Sequence, residues 1–197
     1  MRKTEPTQLE FRIIAGSLKG KKVVVPDLGV TRPPLTRLRK AIFDYLNPYL
    51  DDARYLDLFS GTGSYLFEAV SRGASAAVGV ELEARLCESI LAHARSFGVT
   101  KALRCRNEDV FTAIPASAEA GERFEVIMMA PPQYRGLIER TLVMLEKHPL
   151  LAEGGQIVCQ HDTSETNKID WGEAFELQQR RKYGNTTFTI LGKKAVE

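Results

Sequence analysis

The chain has 197 residues, of which 44% are apolar and 26% are charged, and these values predict one soluble globular core with a small appendage at most. No apolar run is long enough to span a bilayer, and the polar first ten residues lack the apolar segment of a secretory signal. The three cysteines are scattered without metal-binding or redox spacing, which favours a cytoplasmic protein with reduced thiols.

Positive charge is concentrated at the start of the chain. The net charge is only +2, but residues 1–40 carry ten Lys and Arg against three acids, so the remainder is acidic. A basic segment attached to an acidic domain predicts that an anionic partner, most often a nucleic acid, binds to the basic side of the protein. A solvated basic surface without a partner is the alternative that charge alone leaves open.

The N-terminal segment predicts a β-hairpin followed by a helix. Residues 12–16 and 21–25 are short β-type runs joined by a turn that contains Gly20. Pro33 or Pro34 suits the first turn of a helix that extends to about Tyr45. We therefore treat residues 1–50 as a basic extension and residues 51–197 as the main domain.

In the main domain, short apolar runs alternate with helical stretches. This alternation predicts an α/β fold with a mostly parallel, doubly wound sheet that helices cover on both faces. Two extended runs on either side of Gly184 predict an antiparallel hairpin at the end of the sheet. The predicted strands are 53–59, 75–81, 100–105, 124–129 and 155–160, and the predicted helices are 64–72, 83–97, 107–114 and 135–147.

A glycine-rich turn follows the first strand of this domain. Gly61 and Gly63 allow the backbone to turn tightly. The helix that follows this turn would point its unpaired N–H groups at a ligand, as in nucleotide-binding sheets. The dinucleotide fingerprint needs a third small residue where this chain has Leu66. Asp57 would repel a pyrophosphate but suits a cationic ligand, so the turn favours S-adenosylmethionine over a dinucleotide. Asp57 as a turn-capping acid remains the alternative.

Two further acids and a proline pair follow later strands. Glu81 could accept the ribose hydroxyls of an adenosine, and Asp109 could bind its adenine amino group. Both acids could instead serve only the helices that they precede. Pro131 and Pro132 leave their carbonyls free and would lie beside the glycine turn, although a proline pair can also simply end a strand.

The chain resembles the RsmD-type methyltransferases, which methylate guanine N2 in small-subunit ribosomal RNA. The resemblance implies a Rossmann-like class I methyltransferase with a seven-stranded sheet, S-adenosylmethionine as cofactor, and rRNA or an assembling small subunit as partner. The matching segments are residues 12–16, 31–45, 56–63, 68–74, 131–132, 150–155 and 181–186. The candidate cofactor-binding residues are Asp57, Phe59, Gly61, Gly63, Glu81 and Asp109. The candidate RNA-binding residues are Arg12, Lys19, Lys21, Lys22, Arg32, Arg37, Arg39 and Lys40.

One departure from the family pattern falls in the candidate catalytic loop, residues 130–134. The family's loop begins with Asp or Asn and continues with two prolines and an aromatic residue, whereas this chain has Ala130 first and Gln133 at the aromatic place. Our hypothesis is that Gln133 supplies the carbonyl acceptor for the guanine amino group, Pro131 a backbone acceptor, and Tyr134 the stacking ring. The candidate catalytic residues are Ala130, Pro131, Pro132, Gln133 and Tyr134.

Other classes of protein remain as alternatives. A non-catalytic RNA-binding or ribosome-assembly factor on the same fold would tolerate Ala130, and a methyltransferase for a small molecule or a protein is disfavoured only by the basic segment. Metal chemistry is not expected, because His93, His148 and His161 are isolated in the sequence.

Overall fold

The computed structural model describes residues 7–31 and 35–194. The strands are β1 (Gln8–Arg12), β2 (Lys22–Pro26), β3 (Arg54–Asp57), β4 (Ala76–Glu81), β5 (Leu103–Asn107), β6 (Phe124–Met129), β7 (Leu151–Asp162), β8 (Phe175–Tyr183) and β9 (Thr186–Lys193). The helices are α1 (Thr36–Leu46), α2 (Ser64–Ser71), α3 (Ala84–Ser96), α4 (Val110–Glu119) and α5 (Leu137–Lys147).

The main sheet has seven strands in the order β5-β4-β3-β6-β7-β9-β8. The first five are parallel, and β9 runs antiparallel to both β7 and β8. The predicted α/β sheet that ends in an antiparallel hairpin is therefore confirmed. Because β3 has β4 on one side and β6 on the other, the strand order reverses there, and ligands of open α/β sheets bind at such a point.

Two apolar cores lie on opposite faces of the sheet. The core on one face joins the N-terminal hairpin and α1 to α2 and α3, and it contains Phe11, Val23, Phe43 and Phe67. The core on the other face is formed against α4 and α5. Since buried side chains of the N-terminal extension and of the main sheet belong to the same apolar core, the extension and the sheet are packed as one unit.

The N-terminal hairpin begins earlier in the chain than predicted. Its first strand is β1, and residues 13–21 form the connection that was assigned partly to a strand. This connection packs on the end of α2, where the Ser17 N–H donates to the Ser71 carbonyl at 2.7 Å. A side chain at Gly16 would place its Cβ 1.7 Å from the Ser71 carbonyl oxygen, so the close approach requires glycine.

Several other boundaries differ from the prediction, most clearly those of α4 and β7. Helix α4 continues past Pro115 to Glu119, although a proline in this position removes an N–H donor from the helix. Strand β7 begins at Leu151, four residues before the predicted start, and its ladder with β6 is irregular near Val126. The alternation of apolar runs with helical stretches predicted these elements but not their ends.

Arg39 was predicted to bind RNA, and the structure contradicts this. Its side chain is 1% exposed, its Nε lies 3.4 Å from Oε1 of the fully buried Glu68, and its guanidinium also donates to the Arg12 carbonyl. Glu68 further accepts from the Ile14 N–H at 2.6 Å and contacts Arg72 at 3.4 Å. Arg39 therefore joins α1 and the hairpin to α2, because a buried guanidinium needs a paired carboxylate.

The described part of the chain contains neither a helix suited to crossing a membrane nor a cluster of metal-ligating side chains. Across residues 7–31 and 35–194, no helix combines the length and apolar content needed to cross a bilayer. Over the same ranges, no three His, Cys, Asp or Glu side chains are grouped so as to hold a metal ion.

Candidate active site

The turn after β3 is fixed by β4 and α3. The Gly61 N–H donates to Glu81 Oε2 at 2.6 Å, and the Ser60 N–H donates to the Val80 carbonyl at 3.0 Å. Gly63 precedes α2 with a φ of 76°, and a Cβ at this position would lie 2.7 Å from Ile90 Cγ1. The structure therefore confirms a tight glycine turn ahead of α2, and the binding of a ligand by this turn stays a prediction.

Asp57 lies directly beneath this turn. Its side chain is fully buried, and neither carboxylate oxygen has a hydrogen-bond partner among the described residues. Burial raises the pKa of Asp57 to about 8, and the nearby negative charge of Glu81 adds to the rise. A cationic ligand at the turn would offset this cost, so the residues present fit a sulfonium cofactor that also carries an ammonium group.

Asp57 is expected to make the fold less stable as pH rises. Because its pKa is about 8 in the folded chain against an ordinary 3.8, its contribution to stability is fully present below about pH 4 and is lost as pH rises through about 8, where the folded chain releases the proton. Asp57→Asn should therefore flatten the free energy of unfolding between about pH 5 and about pH 8.5 in urea titrations. Asp51→Asn, at an exposed site, is the matched control, and an unchanged slope in Asp57→Asn would contradict a protonated Asp57.

The other two predicted adenosine-binding acids differ in their surroundings. Glu81 lies at the turn, where it accepts from the Gly61 and Glu83 N–H groups, and burial raises its pKa. Asp109 caps α4 by accepting from the Phe111 N–H at 2.7 Å. This capping role is the alternative to adenine binding that the sequence also allows. The cap uses Oδ1 of this exposed carboxylate, and a contact of the other carboxylate oxygen with adenine stays a prediction. Phe59 is half-buried against the α4 and α5 core.

The candidate catalytic loop follows β6 and is adjacent to the turn after β3. The Leu58 N–H donates to the Met128 carbonyl at 3.0 Å, so the two strand ends lie side by side. Ala130 packs half-buried against the core and Pro131 is buried. Pro132, Gln133 and Tyr134 are exposed, and the Tyr134 ring is 65% exposed. The predicted side-chain acceptor Gln133 and the predicted stacking residue Tyr134 are therefore exposed, whereas Pro131, the predicted backbone acceptor, is buried.

Tyr134 is held by a short turn that follows β7, an arrangement that no pattern in the sequence indicated. Its φ is 61°, an unusual value for a bulky residue. Its N–H donates to Glu165 Oε1 at 2.9 Å, and its hydroxyl lies 3.5 Å from Ser164 Oγ. Glu165 thus anchors the strained backbone of the loop at Tyr134, and Ser164 of the same turn lies near the hydroxyl at the end of the ring.

Glu165→Ala is expected to lower kcat about tenfold while leaving the melting temperature nearly unchanged, because the loop loses an anchor and the core is untouched. Glu165→Gln keeps an acceptor oxygen for the Tyr134 N–H and should retain most of the activity. Steady-state kinetics on both variants provide the test. Equal activity of Glu165→Ala and the unsubstituted chain would show that the anchor does not position the loop.

The remaining predicted RNA-binding residues are dispersed over the hairpin and α1. Lys21 lies over the Phe97 ring at 5.0 Å, Lys22 pairs with Glu10, and Lys40 pairs with Asp44. The other exposed members are Arg12, Lys19 and Arg37. Arg32 lies outside the described residues. Contacts of these side chains with RNA stay a prediction.

The sheet order, the glycine turn and the loop after β6 together define a Rossmann-like methyltransferase of class I. Within this class, the chain belongs to the RsmD-type methyltransferase family, because the family profile described as Conserved hypothetical protein 95 matches residues 11–192. The resemblance inferred from the sequence is therefore confirmed, as is the class of enzyme that it implies.

Several relatives share nearly the whole chain. Ribosomal RNA small subunit methyltransferase D of Escherichia coli K12 is 29% identical over 189 residues, which are 94% of this chain and 91% of the relative. Among solved structures, a methyltransferase of Escherichia coli called yhhF has a TM-score of 0.82 at 25% identity and covers 95% of this chain and 99% of its own. A hypothetical protein of Thermus thermophilus has a TM-score of 0.76 at 32% identity and covers 91% of this chain and 98% of its own.

Proposed function

We propose that this protein transfers a methyl group from S-adenosylmethionine to the exocyclic N2 of a guanine in small-subunit ribosomal RNA. The observation that carries the proposal is the adjacency of the glycine turn after β3 and the Pro131–Tyr134 loop after β6, which the Leu58–Met128 hydrogen bond fixes. The match with small-subunit methyltransferase D over 94% of the chain supports the same activity.

The turn after β3 would hold the cofactor. Bound S-adenosylmethionine supplies an electrophilic methyl group on a positively charged sulfur. The backbone at Gly61 and Gly63 would approach the cofactor closely, and Glu81 would accept its ribose hydroxyls from the edge of the same turn. Asp57 would offset the positive charge from beneath, and that charge would in turn lower the pKa of Asp57.

The loop after β6 would position the guanine. An exocyclic amino group reacts only when its nitrogen lone pair points at the methyl carbon, so acceptors for its two N–H bonds set the geometry. The Pro131 carbonyl and the Gln133 side-chain oxygen are the acceptors that we assign, and the exposed Tyr134 ring would stack on the base. A base in this position must leave its helical stack.

The proposed partner is small-subunit rRNA or the assembling small subunit in the cytoplasm. Incubating the protein with labelled S-adenosylmethionine and a panel of acceptors tests this proposal. Unmodified small subunits or their free rRNA should take up label, whereas large subunits and small-molecule acceptors should not. Transfer to a protein or a small molecule, with none to RNA, would contradict the proposal.

Ala130 favours a second candidate, an RNA-binding protein of the same fold with weakened catalysis. Its methyl group packs against the core and offers no acceptor at the place where the family has Asp or Asn. Ala130→Asn distinguishes the two candidates, because a weakened enzyme should gain about 100-fold in kcat when the contact is restored. If Gln133 already supplies that contact, the gain should be less than about threefold.

A further inference from the structure

One side-chain hydrogen bond connects helix α2 with strand β7. The hydroxyl of Tyr65, which comes two residues after Gly63, donates to Oε1 of Gln160 near the end of β7. In the sheet, β6 lies between β7 and β3, the strand that leads into the glycine turn and α2. The bond therefore joins the helix after the glycine turn to the strand on the far side of the candidate catalytic loop.

Gln160 lies beside Ala130 at the ends of neighbouring parallel strands. Met129 pairs with Cys159 in the β6–β7 ladder, so Ala130 and Gln160 are the next positions along the two chains. Gln160 pairs with Phe188 of β9, which belongs to the core on the α1 and α2 face of the sheet, and Ala130 packs against the same core. Since paired residues of neighbouring strands project to the same face, the Gln160 side chain projects to the face that Ala130 occupies.

The carboxamide of Gln160 is hydrogen-bonded at one end only. Its Oε1 accepts from Tyr65, whose side chain is 4% exposed, and burial raises the pKa of Tyr65, so the hydroxyl keeps the proton that it donates. Gln160 is half-buried, and its Nε2 neither donates to a described residue nor belongs to the buried atoms that lack a partner. The Nε2 hydrogens can therefore bind a ligand, and the bond from Tyr65 decides which end of the amide faces that ligand.

We propose that Gln160 Nε2 donates a hydrogen bond to ring nitrogen N3 of the guanine and so positions the base for methylation. The proposal rests on the proposed function, because it assumes that a guanine lies at the loop after β6. Gln160 would contact the substrate directly, from a strand outside that loop. Tyr65 is a positioning residue, because it acts only through the orientation of the Gln160 amide.

The chemistry of guanine identifies the atom that Gln160 contacts. The methylated amino group is attached to carbon 2, whose ring neighbours are N1, which carries a hydrogen, and N3, which has a free lone pair. An amide N–H can pair with N3 but not with N1. Neighbouring strands are about 4.8 Å apart, so a side chain on β7 next to Ala130 reaches the ring atom beside the amino group. Holding N3 fixes the rotation of the base in its own plane, which the acceptors of the loop alone leave free.

Gln160→Glu is the most specific substitution for this proposal. The glutamate keeps an oxygen that accepts from Tyr65, but it replaces the Nε2 donor by a second acceptor, which repels the lone pair of N3. Gln178→Glu makes the same change at an exposed position on β8 and is the matched control. Tyr65→Phe releases the Gln160 amide. Its matched control is Tyr45→Phe, which breaks the hydrogen bond from the Tyr45 hydroxyl to Gln156 Oε1, nearer the start of β7.

Steady-state methyl transfer to unmodified small subunits is measured for each variant, together with the melting temperature and the calorimetric affinity for S-adenosylhomocysteine. Gln160→Glu should lower kcat at least about thirtyfold, and Tyr65→Phe should lower it about fivefold. Both should bind S-adenosylhomocysteine like the unsubstituted chain and melt at nearly the same temperature. The double variant should be no slower than Gln160→Glu alone, because Tyr65 acts through the amide. Each control should change kcat by less than about twofold.

The possible outcomes separate this proposal from the proposed function. Full activity of Gln160→Glu, or an equal loss in Gln178→Glu, would overturn the role of Gln160 while the proposed function stands. Additive losses in the double variant, or an equal loss in Tyr45→Phe, would overturn the positioning role of Tyr65. Absence of transfer to RNA by the unsubstituted chain would overturn the proposed function as well.

Discussion

Gln133→Ala is expected to lower kcat by about two to three orders of magnitude, because it removes the only side-chain acceptor that we assign to the guanine amino group. The substitution changes an exposed side chain, so the fold should not be affected. S-adenosylhomocysteine should bind with unchanged affinity, since the turn after β3 is intact. Single-turnover transfer to unmodified small subunits, with calorimetry for the cofactor, measures both quantities.

The conservative variant and a matched control make this result specific. Gln133→Glu keeps an acceptor oxygen at the same place and should recover much of the lost rate. Gln178→Ala removes another exposed glutamine, on β8, and should leave kcat unchanged. Full activity in Gln133→Ala would remove Gln133 from the site and leave the backbone carbonyls as the acceptors.

Glu68→Gln is expected to lower the free energy of unfolding by about 3–5 kcal/mol. The amide fills the same space but leaves Arg39, which is 1% exposed, without a counter-charge. Burial lowers the pKa of Arg39, and the negative charge of Glu68 opposes this shift. Urea unfolding followed by circular dichroism measures the loss.

Two comparisons test the cause of this loss. Glu10→Gln breaks the exposed Glu10–Lys22 pair and should cost less than about 1 kcal/mol. Replacing Arg39 and Glu68 together by methionine removes both charges of the pair and should recover part of the stability, because the Ile14 N–H and Arg72 still lose their contacts with Glu68. A double variant as unstable as Glu68→Gln would show that the ion pair is not the source of the effect.

The sequence was sufficient for the features that depend on local periodicity and backbone geometry. The alternation of apolar runs predicted the parallel sheet and its terminal hairpin. The spacing of Gly61 and Gly63 predicted the turn, because positive φ values favour glycine. Glu81 was placed at this turn by its position at the end of a strand, and the structure brings it to the Gly61 N–H.

Features that depend on long-range contacts were not predictable in the same way. Arg39 resembles its exposed neighbours Arg37 and Lys40 in sequence, and only its pairing with Glu68, on another helix, makes it a buried residue. Glu165 lies in a stretch without regular periodicity, so nothing in the sequence placed it against the catalytic loop. In both cases, the partner is 29 or more positions away along the chain, and tertiary packing decides the role.

In the proposed function, the turn after β3 and the loop at residues 130–134 form one active site that methylates guanine. The most direct test is nucleoside analysis by mass spectrometry of small-subunit rRNA after reaction with S-adenosylmethionine. We predict one new N2-methylguanosine per rRNA with the unsubstituted chain and almost none with Gln133→Ala in the same reaction time. Methylation at another base or ring position, or no methylation despite cofactor binding, would contradict the claim.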